Sequence, residues 1–307
     1  MRTSFFFSLL AVIVVAASAC KSDPEAPAGA TPTSDAGAGD DDDDDNTTPD
    51  GGGVEPGGDK VTVTTESIDV DGRAREYVLA VPKALDAERS YPLVLVFHGD
   101  GGTGPGMRTF HTFDAVSGDE AIVAYPTGID RGWDIDTATA SNRDIKFVES
   151  LVASLASTYK IDAERVFGTG YSSGGFLINK IACRKTGFFR GIVSHAGGAP
   201  YESSDPGASQ WPNGFTKCDG QTGGIAALIV HGDADGAVTY DSGEFNATYW
   251  ASINGCQDSR SDTAPAPCKK HDGCPAGKPV LWCLVPGLGH TVWDQGAKEG
   301  WAFMKAL

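Results

Sequence analysis

Val166-Phe167-Gly168-Thr169-Gly170-Tyr171-Ser172-Ser173-Gly174-Gly175-Phe176 carries a short apolar run straight into Gly170-x-Ser172-x-Gly174. A strand ending there, a sharp turn and a helix over residues 176–182 predict a nucleophile elbow, which holds one serine on a strained turn with its hydroxyl exposed. The flanking glycines fit this reading. A side chain at either would meet the neighbouring strand or helix, and the turn needs unusual backbone angles. In a chain with 40 glycines the five-residue pattern alone is weak; the strand before it and the helix after it give it weight.

A serine hydroxyl is a poor nucleophile at neutral pH. It needs an imidazole to take its proton, and that imidazole needs an acid to fix its tautomer and stabilise its cation. In sheets with this elbow the acid and then the histidine follow the serine in the chain. After the apolar residues 228–230 comes His231-Gly232-Asp233-Ala234-Asp235, and after residues 280–285 comes Pro286-Gly287-Leu288-Gly289-His290. Asp235 is favoured over Asp233 by its spacing from the strand end, with both able to line one turn. His290 is the expected base. His98 and His111 precede the serine, His231 reads as a strand-end structural residue, and His271 sits in a Cys-rich loop. His195, after a strand near the elbow, is the rival. For the oxyanion, the Ser173 N–H and a donor from His98-Gly99-Asp100-Gly101-Gly102, at Asp100 or Gly101, are expected. No Walker lysine follows that loop, so phosphate cradling is disfavoured. Trp133, Tyr171 and Trp293 are candidate substrate-binding aromatics, each with core packing as the alternative.

The rest of the chain supplies the sheet that these residues need. Residues 61–65 alternate like a strand, residues 75–81 give another, and residues 93–97, 121–125, 191–194, 225–230 and 279–285 are further strands. Helical spacing runs over residues 145–159, and helices are expected over 241–254 and 296–307. Strands alternating with helices predict an α/β fold with a mostly parallel, doubly wound sheet, whose ligands bind beyond the carboxyl ends of the strands.

Arg2 followed by the apolar residues 5–17 reads as a signal peptide over residues 1–19, too short to span a bilayer comfortably. Ala17-Ser18-Ala19-Cys20 admits ordinary cleavage or a bacterial lipoprotein box with Cys20 lipidated, and the lipoprotein reading is preferred. Residues 20–59, rich in Pro, Gly, Ala and Thr with Asp at 40–45, are an extended acidic linker that cannot bury a core. They hold much of the formal charge of −17. Residues 60–307 are then one catalytic domain. Without Cys20, six cysteines remain (Cys183, Cys218, Cys256, Cys268, Cys274 and Cys283), an even set that suggests three disulfides in an exported chain. Zinc at the Cys268–Cys283 cluster with His271 is disfavoured by spacing and compartment. No metal or cofactor is expected. No basic patch points to nucleic acid, the membrane is met only through the lipid, and a monomer is expected.

The set Arg75-x-Tyr77 with Val81-Pro82, Val96-Phe97-His98-Gly99, Ala124-Tyr125-Pro126, Gly132-Trp133, Asp144-x-x-Phe147, Arg165-Val166-Phe167, the elbow with its extra Gly175, Ala182-Cys183, His231-Gly232-x-x-Asp235 and Gly289-His290 resembles the polyhydroxybutyrate depolymerase and feruloyl esterase group of α/β-hydrolases, carbohydrate esterase family one among them. The resemblance spans residues 73–290. It implies Ser172 as nucleophile, Asp235 as acid, His290 as base, a Cys183–Cys218 pairing and a structural Asp144. The chain departs from the group's pattern in having Trp293 three places after the histidine rather than two, in Ser173, and in Cys268. It also has no polymer-binding module. The expectation is a serine esterase acting on feruloyl or acetyl esters of plant polysaccharides. A short-chain polyester depolymerase or peptidase is the alternative, and a non-catalytic surface binding lipoprotein on a hydrolase fold is the alternative of another class.

Overall fold

The computed structural model of the chain describes residues 60–198, 200–201 and 209–307. The signal segment, Cys20 and the acidic linker lie outside the described residues. The strands are β1 (Val61–Val70), β2 (Arg73–Pro82), β3 (Tyr91–Phe97), β4 (Ile122–Pro126), β5 (Ile161–Tyr171), β6 (Gly191–His195), β7 (Ala226–Gly232), β8 (Arg260–Asp262), β9 (Cys268–His271) and β10 (Val280–Val285). They form one sheet in the order β1-β2-β4-β3-β5-β6-β7-β10-β9-β8. The central strands from β4 to β10 run parallel. An antiparallel pair finishes each edge.

Parallel strands covered on both faces read as continuous apolar runs, and β3 is buried along its whole length. Its residues alternate between two cores: Leu93, Leu95 and Phe97 face one, Val94 and Val96 the other. Helices α3 (Arg143–Thr158), α4 (Ser173–Arg184) and α5 (Tyr240–Asn254) pack on the first face. Helices α1 (Gly104–Phe110), α2 (Phe113–Ser117) and α6 (Gly296–Lys305) cover the second.

Two features were not expected from the sequence. Gly104-Pro105-Gly106 reads as a turn, yet it opens α1, where the Thr103 hydroxyl accepts the Gly106 N–H and proline occupies the first turn. The short polar strands β8 and β9 lack a usable alternation. They form because β9 pairs with β10 and Cys268 faces Cys283 across that ladder.

The six cysteines pair as Cys183–Cys218, Cys256–Cys274 and Cys268–Cys283. The first ties α4 to the loop after β6, as the resemblance implied, and the other two staple the β8–β9 lobe. The thiols once weighed as zinc ligands are therefore consumed.

The buried Arg75–Asp144 ion pair fixes the start of α3 to β2. Asp144 also accepts the Asp134 N–H at 2.6 Å, and Arg75 lies over the Phe147 ring. This is the structural role expected for Asp144.

Candidate active site

Strand β5 ends at Tyr171 and α4 begins at Ser173, which leaves Ser172 alone on the turn with φ 52° and ψ −121°. For a residue with a side chain, that conformation costs about 1–3 kcal/mol and persists only where its surroundings enforce it. Here they do. The Ser172 N–H donates to the His195 carbonyl at 3.0 Å, and the Ser172 carbonyl accepts the Phe176 N–H at 3.0 Å. A Cβ on Gly170 would collide with the Gly174 carbonyl, and one on Gly174 would lie 2.5 Å from both the Phe97 and His98 carbonyls. The pattern is glycine because strand, helix and the neighbouring strand end touch backbone to backbone.

The candidate acid Asp235 stands in the turn after β7. Asp235 Oδ1 accepts the N–H groups of Ala237 and Val238 at 2.9 Å each, and Oδ2 lies 2.8 Å from His290 Nδ1. Burial pushes the Asp235 carboxyl up, but the His290 hydrogen bond and those two N–H groups outweigh it and hold the group below the ordinary carboxylate range. Because Nδ1 faces a carboxylate, it carries the imidazole proton. That leaves His290 Nε2, 2.9 Å from Ser172 Oγ, free to accept the serine proton. The three side chains thus form one continuous hydrogen-bonded array, and its two solvent-facing members are only partly buried.

The two aspartates that spacing ranks also separate by contact. Asp233 Oδ1 accepts the Gly287 N–H at 2.6 Å, so this carboxylate clamps the loop that leads to His290. Gly232 must lack a side chain because the Leu288 carbonyl backs directly onto it. The rival base, His195, is buried with both ring nitrogens unpartnered, against His111 at 5.0 Å between ring centroids. Its side chain packs against Gly296 of α6.

The loop after β3 lies against the elbow. A Cβ on Gly99 would be 2.9 Å from the Tyr171 ring and 3.1 Å from Ser172 Cβ. Among its expected donors, Gly101 drops out: its N–H is taken by the Arg131 carbonyl at 2.8 Å. That leaves the Asp100 N–H as the remaining candidate donor of this loop, with the Ser173 N–H at the start of α4 as the other expected donor. His98 anchors the loop, with Nε2 accepting the Gly128 N–H at 2.9 Å and Nδ1 donating to the Gly99 carbonyl at 2.7 Å. Burial lowers its pKa, in keeping with that uncharged tautomer.

Two of the three candidate substrate aromatics prove to be scaffold. Trp133 is buried at 7 % exposure, edge-on to Phe97, and donates its indole N–H to the His98 carbonyl at 2.8 Å. Trp293 is buried at 5 % exposure in the second core. Tyr171 stays at the site: its hydroxyl donates to the His290 carbonyl at 2.8 Å and its ring stands 5.1 Å from the imidazole. Sequence reasoning missed Phe110, which is 46 % exposed and meets Tyr171 edge-on at 5.3 Å between centroids. Its only signal in the sequence was an aromatic shortly after the Gly-rich loop that follows β3. Among the described residues, no group of three or more His, Cys, Asp or Glu could hold a metal ion.

The sheet order and the elbow define an α/β-hydrolase. Residues 140–216 match the sequence model of the prolyl oligopeptidase family. Over 225 residues the chain is 27% identical to a probable feruloyl esterase C of Aspergillus niger, covering 70% of this chain and 76% of that protein. In structure it is similar to an acetyl xylan esterase from Aspergillus awamori (TM-score 0.63, 17% identity, 80% of this chain and 100% of that one). It is also similar to a ferulic acid esterase (TM-score 0.56, 14% identity, 81% and 99%). The fold is thus that of an α/β-hydrolase, and the chain is similar to feruloyl esterases in sequence.

Proposed function

We propose that this chain is an exported serine esterase that hydrolyses feruloyl or acetyl esters of plant polysaccharides. In this reading Ser172 is the nucleophile, His290 the general base and Asp235 the orienting acid. The observation that carries it is the unbroken Asp235–His290–Ser172 hydrogen-bond chain at 2.8 and 2.9 Å on a strained elbow.

Ser172 Oγ attacks the ester carbonyl carbon while His290 Nε2 takes its proton. The carbonyl oxygen becomes an oxyanion that the Ser173 and Asp100 N–H groups stabilise, donors whose value lies in being already in place. The intermediate collapses with cleavage of the ester C–O bond, and the imidazolium returns the proton to the departing alcohol. Water then repeats the sequence on the acyl-enzyme, releasing the acid and Ser172.

The names of the similar proteins support the acyl class, and the exposed Phe110 beside Tyr171 offers an aromatic wall that suits a hydroxycinnamoyl group. The three disulfides support an oxidising compartment. With them we read residues 1–19 as an export signal, Cys20 as a lipidation site and residues 20–59 as the tether to a catalytic domain at 60–307. The match of residues 140–216 to the prolyl oligopeptidase family favours a peptidase as the second reading.

A panel of methyl ferulate, acetylated xylan, nitrophenyl butyrate, polyhydroxybutyrate and a prolyl peptide substrate tests the proposal. Turnover of the first two, lost in Ser172→Ala, is expected. Turnover of the polyester or the peptide alone would overturn the substrate assignment.

A further inference from the structure

Asp235 is held by more than its own turn and His290. Its Oδ2, the oxygen that accepts from His290 Nδ1, also lies 3.2 Å from Nε2 of His231, in a contact where both side chains are buried. The same Nε2 lies 2.8 Å from the Val238 carbonyl. A carbonyl oxygen only accepts, so Nε2 must carry a proton. The other ring nitrogen, Nδ1, is buried without a partner, and helix α5 presses Gly243 directly against it, so a second proton there would have no acceptor.

We propose that His231 is a positioning residue for the reaction: its Nε2–H, shared between the Val238 carbonyl and Asp235 Oδ2, fixes the carboxylate that orients His290. The inference rests on the reading of Asp235, His290 and Ser172 given above.

The arrangement follows from the chain. His231 is the penultimate residue of β7 and Asp235 closes the turn that follows, so one short segment delivers both the carboxylate and the donor behind it. Oδ1 is satisfied by two backbone N–H groups of the same turn. Oδ2 would otherwise have His290 alone, and the carboxylate could rotate with the imidazole. The titratable groups acting on His231 are Asp235 and His290 on the site side and His195 on the neighbouring strand β6. From α5 Gly243 packs against it, and from β10 the Trp282 ring stands 6.4 Å away between centroids. Burial keeps the imidazole uncharged, in keeping with a donor that does not compete as a cation for Asp235.

Removing this donor leaves Asp235 more basic and so favours the His290 imidazolium. His231→Leu should therefore lower kcat for nitrophenyl acetate several-fold with KM nearly unchanged, and move the acid limb of kcat/KM upward by about half a pH unit. His231→Gln carries an amide N–H to about the same place and should restore most of both. A His231→Leu enzyme with unchanged kcat and an unmoved acid limb overturns the proposal, as does a His231→Gln enzyme no better than the leucine variant.

A second measurement reads the imidazole itself, and its tautomer arm uses the wild-type chain alone. In 15N-histidine NMR, His231 should appear as the Nε2–H tautomer, and its Nε2–H resonance should move in Asp235→Asn. An Nδ1–H tautomer, or an unmoved resonance, overturns it. Because the NMR needs no turnover, failure of this inference is distinct from a wild-type enzyme that hydrolyses no ester, which would overturn the reading beneath it.

Discussion

Gly174→Ala probes the backbone contact that joins the elbow to the oxyanion loop. The added Cβ would lie 2.5 Å from the carbonyl oxygens of Phe97 and His98, and Cβ contacts under 3.0 Å are essentially never seen. Both obstacles are backbone, so no side chain can swing away, and the end of β3 must withdraw from α4 by at least the 0.5 Å between those two figures. Those carbonyls lie just before Gly99 and Asp100, so the withdrawal carries the Asp100 N–H away from the oxyanion while Ser173 stays with α4. Complete loss of one such donor costs about 2.7–4 kcal/mol, or 10²–10³ in rate. A stretch of this size should remove part of that, and we expect kcat for nitrophenyl acetate to fall roughly 10- to 100-fold. Overpacking should also lower stability by about 1–3 kcal/mol. The assay is steady-state hydrolysis with a urea melt on the same preparation. Gly236→Ala is the matched control, since a Cβ there meets nothing within 4 Å. If Gly174→Ala folds and keeps kcat within twofold of wild type, the argument that this contact sets the oxyanion geometry is refuted.

Tyr171→Phe keeps the ring over Gly99 but removes the hydroxyl that holds the His290 carbonyl at 2.8 Å; kcat/KM should drop roughly 3- to 10-fold with about 1 kcal/mol of stability, and an unchanged enzyme would remove Tyr171 from the positioning of the base. Burial lowers the His111 pKa from its ordinary 6.5 to about 4, so between those values the unfolded chain takes up a proton that the native state refuses. Stability from this group is therefore complete above pH 6.5 and declines as pH falls, by about 3 kcal/mol at pH 4. Melting at pH 7 and pH 4.5 should show a smaller acid loss in His111→Leu than in wild type, and parallel losses would contradict this. Replacing Cys183 and Cys218 with serine opens a bridge between residues 35 apart, which should cost about 2–4 kcal/mol in a denaturant melt; no loss would mean that the bridge does not constrain the unfolded chain.

The order of the site was legible because each member follows a strand: Ser172 after β5, Asp235 after β7 and His290 after β10. Short apolar runs bounded by Gly or Pro and followed by helical spacing mark such strands. The choice between Asp233 and Asp235 was less legible, because side-chain direction inside a turn depends on backbone geometry that spacing does not encode. Contacts separate the two: Asp235 Oδ2 meets His290 Nδ1, whereas Asp233 Oδ1 accepts the Gly287 N–H. Trp133 and Trp293 were open between pocket and core for a related reason. An aromatic near a strand end can face the pocket or support it, and packing decides which. Helix α1 hid behind Gly104-Pro105-Gly106, where intrinsic propensity opposes the helix and a Thr103 cap with tertiary packing overrides it. The donor role of His231 depends on a ring orientation that only the packed α5 and the Val238 carbonyl reveal.

The central claim is that Ser172 is a nucleophile made reactive by His290. Intact-protein and peptide mass spectrometry after treatment with a fluorophosphonate tests it most directly. One phosphonyl adduct on the Ser172 peptide is expected, labelled at least 10³-fold more slowly in His290→Ala. An unlabelled wild-type protein, an adduct on another residue, or labelling indifferent to His290 would contradict it.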